Sequence, residues 1–135
     1  MMPLASLKIL AVDDEEIMLK MYREYFSQQG VMLQIASSPA AAARQLEAGP
    51  VDVLILDLKL GKDSGKDLLT TVRRDHPRTR CVFVTAYATD ELVNELYEMG
   101  VFEVIKKPCT IRTIFESIEK LALAAGEISP EADRT

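Results

Sequence analysis

The chain contains no long apolar run, and this absence limits where the protein can act. Its apolar stretches are all shorter than the roughly 18–20 residues that a membrane-spanning helix needs. Its N-terminus has one lysine before the first acids and lacks the layout of a signal peptide. We therefore expect a cytoplasmic protein that makes no contact with a membrane.

Positive charge and histidine are also scarce. The sequence has 16 lysines and arginines against 21 acids, a formal net charge of −5. Because nucleic-acid backbones are bound by basic patches, we expect no direct nucleic-acid partner. The acidic balance suits a site that attracts Mg²⁺.

The single histidine, His76, stands beside Pro77 between a predicted helix and a loop, and we interpret it as a surface residue.

Only two cysteines are present, Cys81 and Cys109. Cys81 opens a predicted strand and Cys109 follows the next one, so at about 3.3 Å per residue they lie near opposite ends of a sheet. A disulfide needs Cα atoms within about 7 Å. We therefore predict two free thiols, as is usual in the cytosol.

The pattern of apolar residues alternates strands with helices five times. This alternation predicts one α/β domain, with a parallel sheet covered by helices on both faces. The predicted strands are 7–12, 31–36, 51–57, 81–84 and 101–105. We expect residues 1–6 to be an N-terminal extension, 7–125 to be the domain and 126–135 to be a polar tail.

Local signals bound the helices. Thr89 is a predicted N-cap for the fourth helix, and Gly126 is predicted to end the fifth. The third helix is predicted from about Lys66 to Asp75. Apolar stripes at helical spacing predict that Met21 in the first helix and Tyr97 in the fourth face the core.

Four of the predicted strands end on residues that can handle a phosphate or a metal ion. They are Asp13-Asp14, Asp57, Thr85-Ala86 and Lys106-Lys107-Pro108. Open parallel sheets bind ligands outside the carboxyl ends of their strands. The sequence therefore predicts an acidic pocket that contains a nucleophilic aspartate, Asp57, and an ammonium group.

This set of residues resembles the receiver domain of two-component response regulators, over about residues 7–125. The residues occur in the family's order and at family-like separations, and Gly65 and Gly100 also fit. The resemblance implies a flavodoxin-like, doubly wound sheet of five parallel strands in the order 2-1-3-4-5, with five helices. It also implies that the lysine of the site is Lys107 rather than Lys106, since the family lysine directly precedes proline, and that the Lys107–Pro108 bond is cis.

The resemblance implies a role for each site residue. Asp57 would accept the phosphoryl group, assisted by Thr85 and Lys107. The residues that would bind that group are Thr85, Ala86 and Lys107. The residues that would hold the cofactor, Mg²⁺, are Asp14 and Asp57 directly, Asp13 through water, and Lys59 through its backbone carbonyl.

The implied function is a signalling switch that catalyses its own phosphorylation and slow dephosphorylation, not an enzyme with external substrates. A sensor histidine kinase or phosphotransfer protein would donate the phosphate. The charge change would then alter the face formed by the fourth helix, the fifth strand and the fifth helix. A second copy of the chain is one further partner, in a dimer that would depend on phosphorylation. The identity of the output partner or output domain stays open.

Two other functions stay open at this stage. A pseudo-receiver would be an interaction module that takes no phosphate, although the intact acid set disfavours it. Haloacid-dehalogenase-type phosphatases carry a second aspartate two residues after the nucleophile, where this chain has Lys59. The segment 61–67 resembles a P-loop but is one residue short and has Asp67 where a hydroxyl should bind Mg²⁺.

Several positions depart from the usual receiver pattern. Val104 stands where an aromatic switch residue is common, and Gly61 stands where proline is frequent. The two positions that flank the approach of water to the acyl phosphate are Lys59 and Tyr87. Because neither side chain has a carboxylate or amide to orient water, we expect slow loss of phosphate.

Overall fold

The five predicted strands form one parallel sheet. A computed structural model describes residues 4–57 and 62–127. The strands are β1 Ile9–Val12, β2 Leu33–Ala36, β3 Val53–Asp57, β4 Arg80–Thr85 and β5 Glu103–Lys106. Their order is β2-β1-β3-β4-β5, and each neighbouring pair is parallel. The predicted fold class and strand order are confirmed.

Five helices connect the strands. They are α1 Glu16–Gln28, α2 Pro39–Ala48, α3 Lys62–Asp75, α4 Asp90–Glu98 and α5 Ile111–Glu127, after a short 3₁₀ turn at Leu4–Ser6. The Thr89 hydroxyl accepts the N–H of Leu92 at 3.2 Å, which confirms the predicted cap of α4.

Two predicted helix ends were wrong. The third helix begins at Lys62 rather than about Lys66, and the fifth continues through Gly126 to Glu127. The reason is the same at both ends. A single glycine, Gly65 or Gly126, costs a helix about 1 kcal/mol but does not break its hydrogen bonding.

The sheet separates two apolar layers. Alternate residues of each central strand point to opposite faces, and both faces are buried, as expected of a parallel sheet. On one face Ile9 and Ala11 pack with residues of α1 and α5. On the other, Leu10 and Val12 pack with residues of α2, α3 and α4.

Two side chains predicted to face the core are exposed. In α1 the core positions are Leu19, Tyr22 and Phe26, which leaves Met21 47% exposed. Tyr97 of α4 is 45% exposed, because its hydroxyl accepts the backbone N–H of Val104 on the edge strand β5 at 3.0 Å. The polar end of the ring thus draws it to the surface.

Cys81 and Cys109 are both free, as predicted, and burial raises the pKa of the Cys81 thiol to about 12.

Among the described helices, none combines the length and the apolar composition that crossing a membrane requires.

Tyr22 buries a hydroxyl that finds no hydrogen-bond partner among the described residues. Replacing Tyr22 with phenylalanine removes a group whose desolvation is uncompensated. We expect Tyr22→Phe to raise the free energy of unfolding by about 1 kcal/mol in urea denaturation. Tyr25→Phe is the matched control, since Tyr25 is only partly buried and should change stability little. A loss of stability in Tyr22→Phe alone would contradict this account.

Candidate functional site

The carboxyl ends of β1, β3, β4 and β5 bring the predicted site residues to one edge of the sheet. In the register, Val12 pairs with Leu56, so the next residues, Asp13 and Asp57, follow directly on neighbouring strands. Asp57 itself pairs with Val84, the residue before Thr85. The parallel register therefore gathers these side chains from distant parts of the chain.

Asp57 and Lys107 form a short ion pair. Asp57 is the last residue of β3 and is 1% exposed. The Lys107 ammonium donates to Asp57 Oδ2 at 2.6 Å. The backbone N–H of Lys107 donates to the Thr85 carbonyl at 2.9 Å, and the Lys107–Pro108 bond is cis, as predicted. A charge-assisted hydrogen bond of this kind holds the lysine over the carboxylate.

Asp13 is a second buried carboxylate beside Asp57. It is fully buried, and its Oδ1 accepts the backbone N–H of Glu15 at 2.9 Å. Its other oxygen, Oδ2, has no hydrogen-bond partner among the described residues. A buried carboxylate oxygen without a donor is costly, so this position is suited to a cation or a proton.

The pKa of Asp13 reflects the cost of burying its carboxylate beside a second acid. Burial raises it most, the Glu15 N–H lowers it in part, and the neighbouring Asp57 raises it further. The resulting pKa is about 7, against 3.8 for an ordinary aspartate. The ionised form of the Asp13 carboxyl is therefore disfavoured unless a positive charge lies beside it.

Thr85 is buried and links the site to the loop that follows β4. It is fully buried, and its hydroxyl accepts the backbone N–H of Tyr87 at 2.8 Å. A hydroxyl that accepts one bond still has a proton to donate to another group. Ala86 is exposed next to it.

The metal-binding residues expected from the sequence are only partly assembled. Asp14 is exposed at the start of the loop to α1, and Lys59 lies outside the described residues. Within residues 4–57 and 62–127, no group of three acids, histidines or cysteines forms a ready-made metal cluster. Mg²⁺ needs only one or two carboxylates and keeps several waters. The unpaired Asp13 oxygen, next to the Asp57 carboxylate, fits that requirement.

One residue beneath the site was not identified from the sequence. Burial first, and then the negative charges of Asp57, Asp13 and Cys109, raise the pKa of Tyr22. Its hydroxyl is therefore close enough to the site to feel these charges. The sequence offered no signal for this, because a tyrosine at helical spacing among apolar residues is typical of a core position.

The chain belongs to the response regulator receiver domain family. The sequence profile of that description matches residues 9–119. This match, together with the parallel five-stranded fold, makes the chain a receiver domain of two-component response regulators, as the resemblance implied. The phosphatase alternative is thereby set aside.

Two relatives illustrate the family. The alginate biosynthesis transcriptional regulatory protein AlgB of Pseudomonas aeruginosa is 33% identical over 120 residues, which cover 89% of this chain and 25% of AlgB. The regulatory protein LuxO of Vibrio parahaemolyticus is 26% identical over 122 residues, 90% of this chain and 27% of LuxO. The chain thus spans about a quarter of the length of these curated relatives.

Solved structures share the fold. A CheY-like receiver domain protein from Methanospirillum hungatei has a TM-score of 0.82 and 26% identity, over 90% of this chain and 98% of that one. A response regulator from Burkholderia pseudomallei, with a phosphorylated aspartic acid, a calcium ion and citrate, has a TM-score of 0.76 and 22% identity. It aligns with 94% of this chain and 75% of its own.

The buried Asp13 carboxylate predicts a specific pH dependence of stability. A carboxyl with a folded pKa of about 7 and an ordinary value of 3.8 holds its proton more tightly in the fold than in the unfolded chain. Without Mg²⁺, this group should make the protein lose stability as pH rises from about 4 to about 7. Asp13→Asn should remove that loss and raise the Tm above pH 7 by roughly 2–8 °C for each 1 kcal/mol gained.

Thermal unfolding with and without Mg²⁺, between pH 4 and pH 8, checks this expectation. Asp14→Asn is the control, because it makes the same chemical change at an exposed position and should leave the metal-free Tm nearly constant. Equal metal-free Tm changes in the two variants would contradict the assignment of the buried charge to Asp13.

Proposed function

We propose that Asp57 accepts a phosphoryl group from a phosphohistidine of a sensor histidine kinase or phosphotransfer protein. The observation that supports this most is the buried Asp57 carboxylate, held by the Lys107 ammonium at 2.6 Å at the carboxyl end of the central strand. A carboxylate in that position is a nucleophile held in place at the carboxyl edge of the sheet, and carboxylates form acyl phosphates by covalent catalysis.

The transfer step conserves its atoms and charges. A carboxylate oxygen of Asp57 attacks the phosphorus atom as the phosphorus–nitrogen bond to the donor imidazole breaks. The bonding electrons leave with the imidazole nitrogen, and Asp57 becomes an acyl phosphate. Lys107, already hydrogen-bonded to the carboxylate, pairs with the negative phosphoryl oxygens, and Thr85 and the Ala86 N–H bind a further oxygen.

The site residues fit a divalent cation that receiver domains generally require. Asp13, Asp14, Asp57 and the Lys59 carbonyl would hold Mg²⁺. When bound, Mg²⁺ would neutralise the charge that gathers on the phosphoryl oxygens. The raised pKa of Asp13 and its unpaired oxygen support a binding site that positive charge completes.

Thr85 is the proposed link between the phosphate and the rest of the protein. Its hydroxyl now accepts the Tyr87 N–H. If the hydroxyl moves to donate to a phosphoryl oxygen, the loop that begins at Tyr87 moves with it. That loop leads directly into α4, so the switch would change the face formed by α4, β5 and α5.

The relatives supply the biological context that we propose for this switch. AlgB is described as a transcriptional regulator, and the chain matches about a quarter of it. We propose that residues 7–125 are a cytoplasmic receiver module, between an extension at 1–6 and a tail at 126–135, whose state a kinase sets and an output partner reads. Direct nucleic-acid or membrane contact is not part of the proposal.

Phosphorylation should depend on Asp57 and on Mg²⁺. With Mg²⁺ and a small phosphodonor such as acetyl phosphate, the wild-type protein should gain the mass of one phosphoryl group. Asp57→Asn should lose that gain and stay folded, because the new side chain is polar and nearly identical in shape. Intact-protein mass spectrometry measures the gain, and circular dichroism checks the fold.

Asp52→Asn provides the matched control. Asp52 directly precedes the same strand, at its opposite end, where its carboxylate accepts the Lys8 N–H at 2.8 Å, and its replacement should leave labelling unchanged. Full labelling of Asp57→Asn would overturn the assignment of the acceptor. A folded wild type that takes no phosphate from either acetyl phosphate or a kinase would favour the pseudo-receiver alternative.

The phosphorylated protein should lose its phosphate slowly. Tyr87 is 58% exposed, and neither it nor Lys59 carries a carboxylate or an amide to orient a water molecule toward the acyl phosphate. Lys59→Asn/Tyr87→Glu should therefore speed the loss by roughly ten- to several-hundred-fold. The decay of the phosphorylated mass in the two proteins gives the rates. Decay of the wild type within seconds, or a double variant that is no faster, would refute the expectation.

A further inference from the structure

Tyr22 buries a hydroxyl group at a cost that the stability of the fold does not explain. The side chain is 1% exposed, and its hydroxyl has no hydrogen-bond partner among the described residues. A buried polar group without a partner destabilises a protein. A phenylalanine would fill nearly the same space without that cost, so packing alone does not account for the hydroxyl.

The place of Tyr22 in α1 directs its ring toward the candidate site. Helix α1 begins at Glu16, shortly after β1 ends at the carboxyl edge of the sheet. Tyr22 follows Glu16 by six residues, about 9 Å along the helix axis at 1.5 Å per residue. Side chains of a helix lean toward its N-terminus. The ring of Tyr22 therefore leans toward the edge where the site residues lie.

Both acids of the site stand on the face of the sheet that Tyr22 covers. Ile55 belongs to the same apolar layer as Tyr22, and Asp57 lies two residues later on the same strand. Residues two apart on a strand share a face. Ala11 and Asp13 are related in the same way, because the Asp13 N–H donates to a carbonyl of β2 at 3.1 Å and continues the parallel ladder. The register thus brings both carboxylates to the Tyr22 side.

The charges of these acids reach the Tyr22 hydroxyl. Burial has the largest effect on the pKa of Tyr22, and the negative charges of Asp57 and Asp13 raise that pKa further. A tyrosine with a raised pKa keeps its proton at physiological pH. The Tyr22 hydroxyl is therefore a hydrogen-bond donor beside two acceptors.

One of these acceptors is itself unpaired. Among the described residues, the buried side-chain atoms without a hydrogen-bond partner are the Tyr22 hydroxyl and Asp13 Oδ2. The other Asp13 oxygen, Oδ1, already accepts the Glu15 N–H at 2.9 Å. A carboxylate oxygen has room for more than one bond. Asp13 Oδ2 could therefore accept a bond from Tyr22 and still face a cation or a water molecule bound to it.

We propose that Tyr22 is a positioning residue of the cation site, and that its hydroxyl donates to Asp13 Oδ2 when a divalent cation lies beside Asp13 and Asp57. The two atoms are not hydrogen-bonded in the structure, so the bond requires the Asp13 carboxylate to turn. Groups that hydrogen-bond to a carboxylate of a metal site orient it and strengthen metal binding. The inference rests on the proposed function, because it gives Tyr22 a part in the binding of Mg²⁺.

Tyr22→Phe removes the hydroxyl and keeps the ring. Isothermal titration calorimetry should show Mg²⁺ binding about tenfold weaker than in the wild type, as expected for the loss of a group behind a metal site. Urea denaturation without Mg²⁺ should show the variant to be the more stable protein. A damaged core would lower stability and affinity together, so these opposite changes identify a positioning role.

Tyr25→Phe makes the same chemical change on the same helix and serves as the comparison. Tyr25 is only partly buried, and its ring packs against Phe26 and Phe115. This variant should bind Mg²⁺ like the wild type. Because the chain has no tryptophan, its near-ultraviolet absorbance comes mainly from tyrosine. Mg²⁺ should change that absorbance in the wild type and in Tyr25→Phe, and change it less in Tyr22→Phe.

The outcomes distinguish this inference from the proposed function. Equal Mg²⁺ affinities of the wild type and Tyr22→Phe, or equal weakening in both phenylalanine variants, would overturn the role of Tyr22 and leave the proposed function standing. Weaker binding by a destabilised Tyr22→Phe would also overturn it, since packing would then explain the effect. A wild type that binds no Mg²⁺ would overturn the proposed cation site, and the role of Tyr22 with it.

Discussion

Two carboxylates, Asp13 and Asp57, are buried side by side at the ends of neighbouring strands, and one ammonium group, Lys107, balances them. Burying like charges together is costly unless a cation or a proton intervenes. Here Lys107 binds Asp57, while one oxygen of Asp13 is left without a donor among the described residues. The site thus holds negative charge that is only partly compensated, and a proton or a bound cation would stabilise it.

The parallel sheet brings these charged groups together. Asp13, Asp57, Thr85 and Lys107 come from four strands or strand ends that are far apart in the sequence, and only their register brings them together. Two apolar layers cover the sheet on its two faces. Because these layers bury β1 and β3 completely, a slip of one residue would move apolar side chains to the wrong face. The core therefore provides the rigidity that holds the charged groups close.

Three polar contacts lie between this site and the surface of the protein near α4. The Thr85 hydroxyl holds the Tyr87 N–H, the Lys66 ammonium binds Glu95 of α4, and the Tyr97 hydroxyl accepts the N–H of Val104. Two of these contacts, at Glu95 and Tyr97, attach α4 to its neighbours, besides the apolar anchors Leu92 and Leu96. Polar contacts near solvent are exchanged more readily than a packed core, which supports the proposed response of α4 to phosphorylation.

The sequence by itself determined the alternation of strands and helices, the cap at Thr89 and the set of chemically active residues at the strand ends. These signals are local, since they depend on periodicity and on side chains next to each other. The strand order came from family resemblance, because apolar runs carry no record of which neighbours they pair with.

Only the tertiary structure decided the electrostatic state of Asp13, the position of the Tyr22 hydroxyl near the site, and the turn of Tyr97 away from the core. Each of these depends on atoms that are distant in the sequence. Burial and the nearby Asp57 set the pKa of Asp13, and the backbone of an edge strand, rather than any signal in α4, supplies the N–H that Tyr97 accepts. Helical spacing cannot register such a contact, because it describes which face of a helix is apolar and not what lies opposite that face.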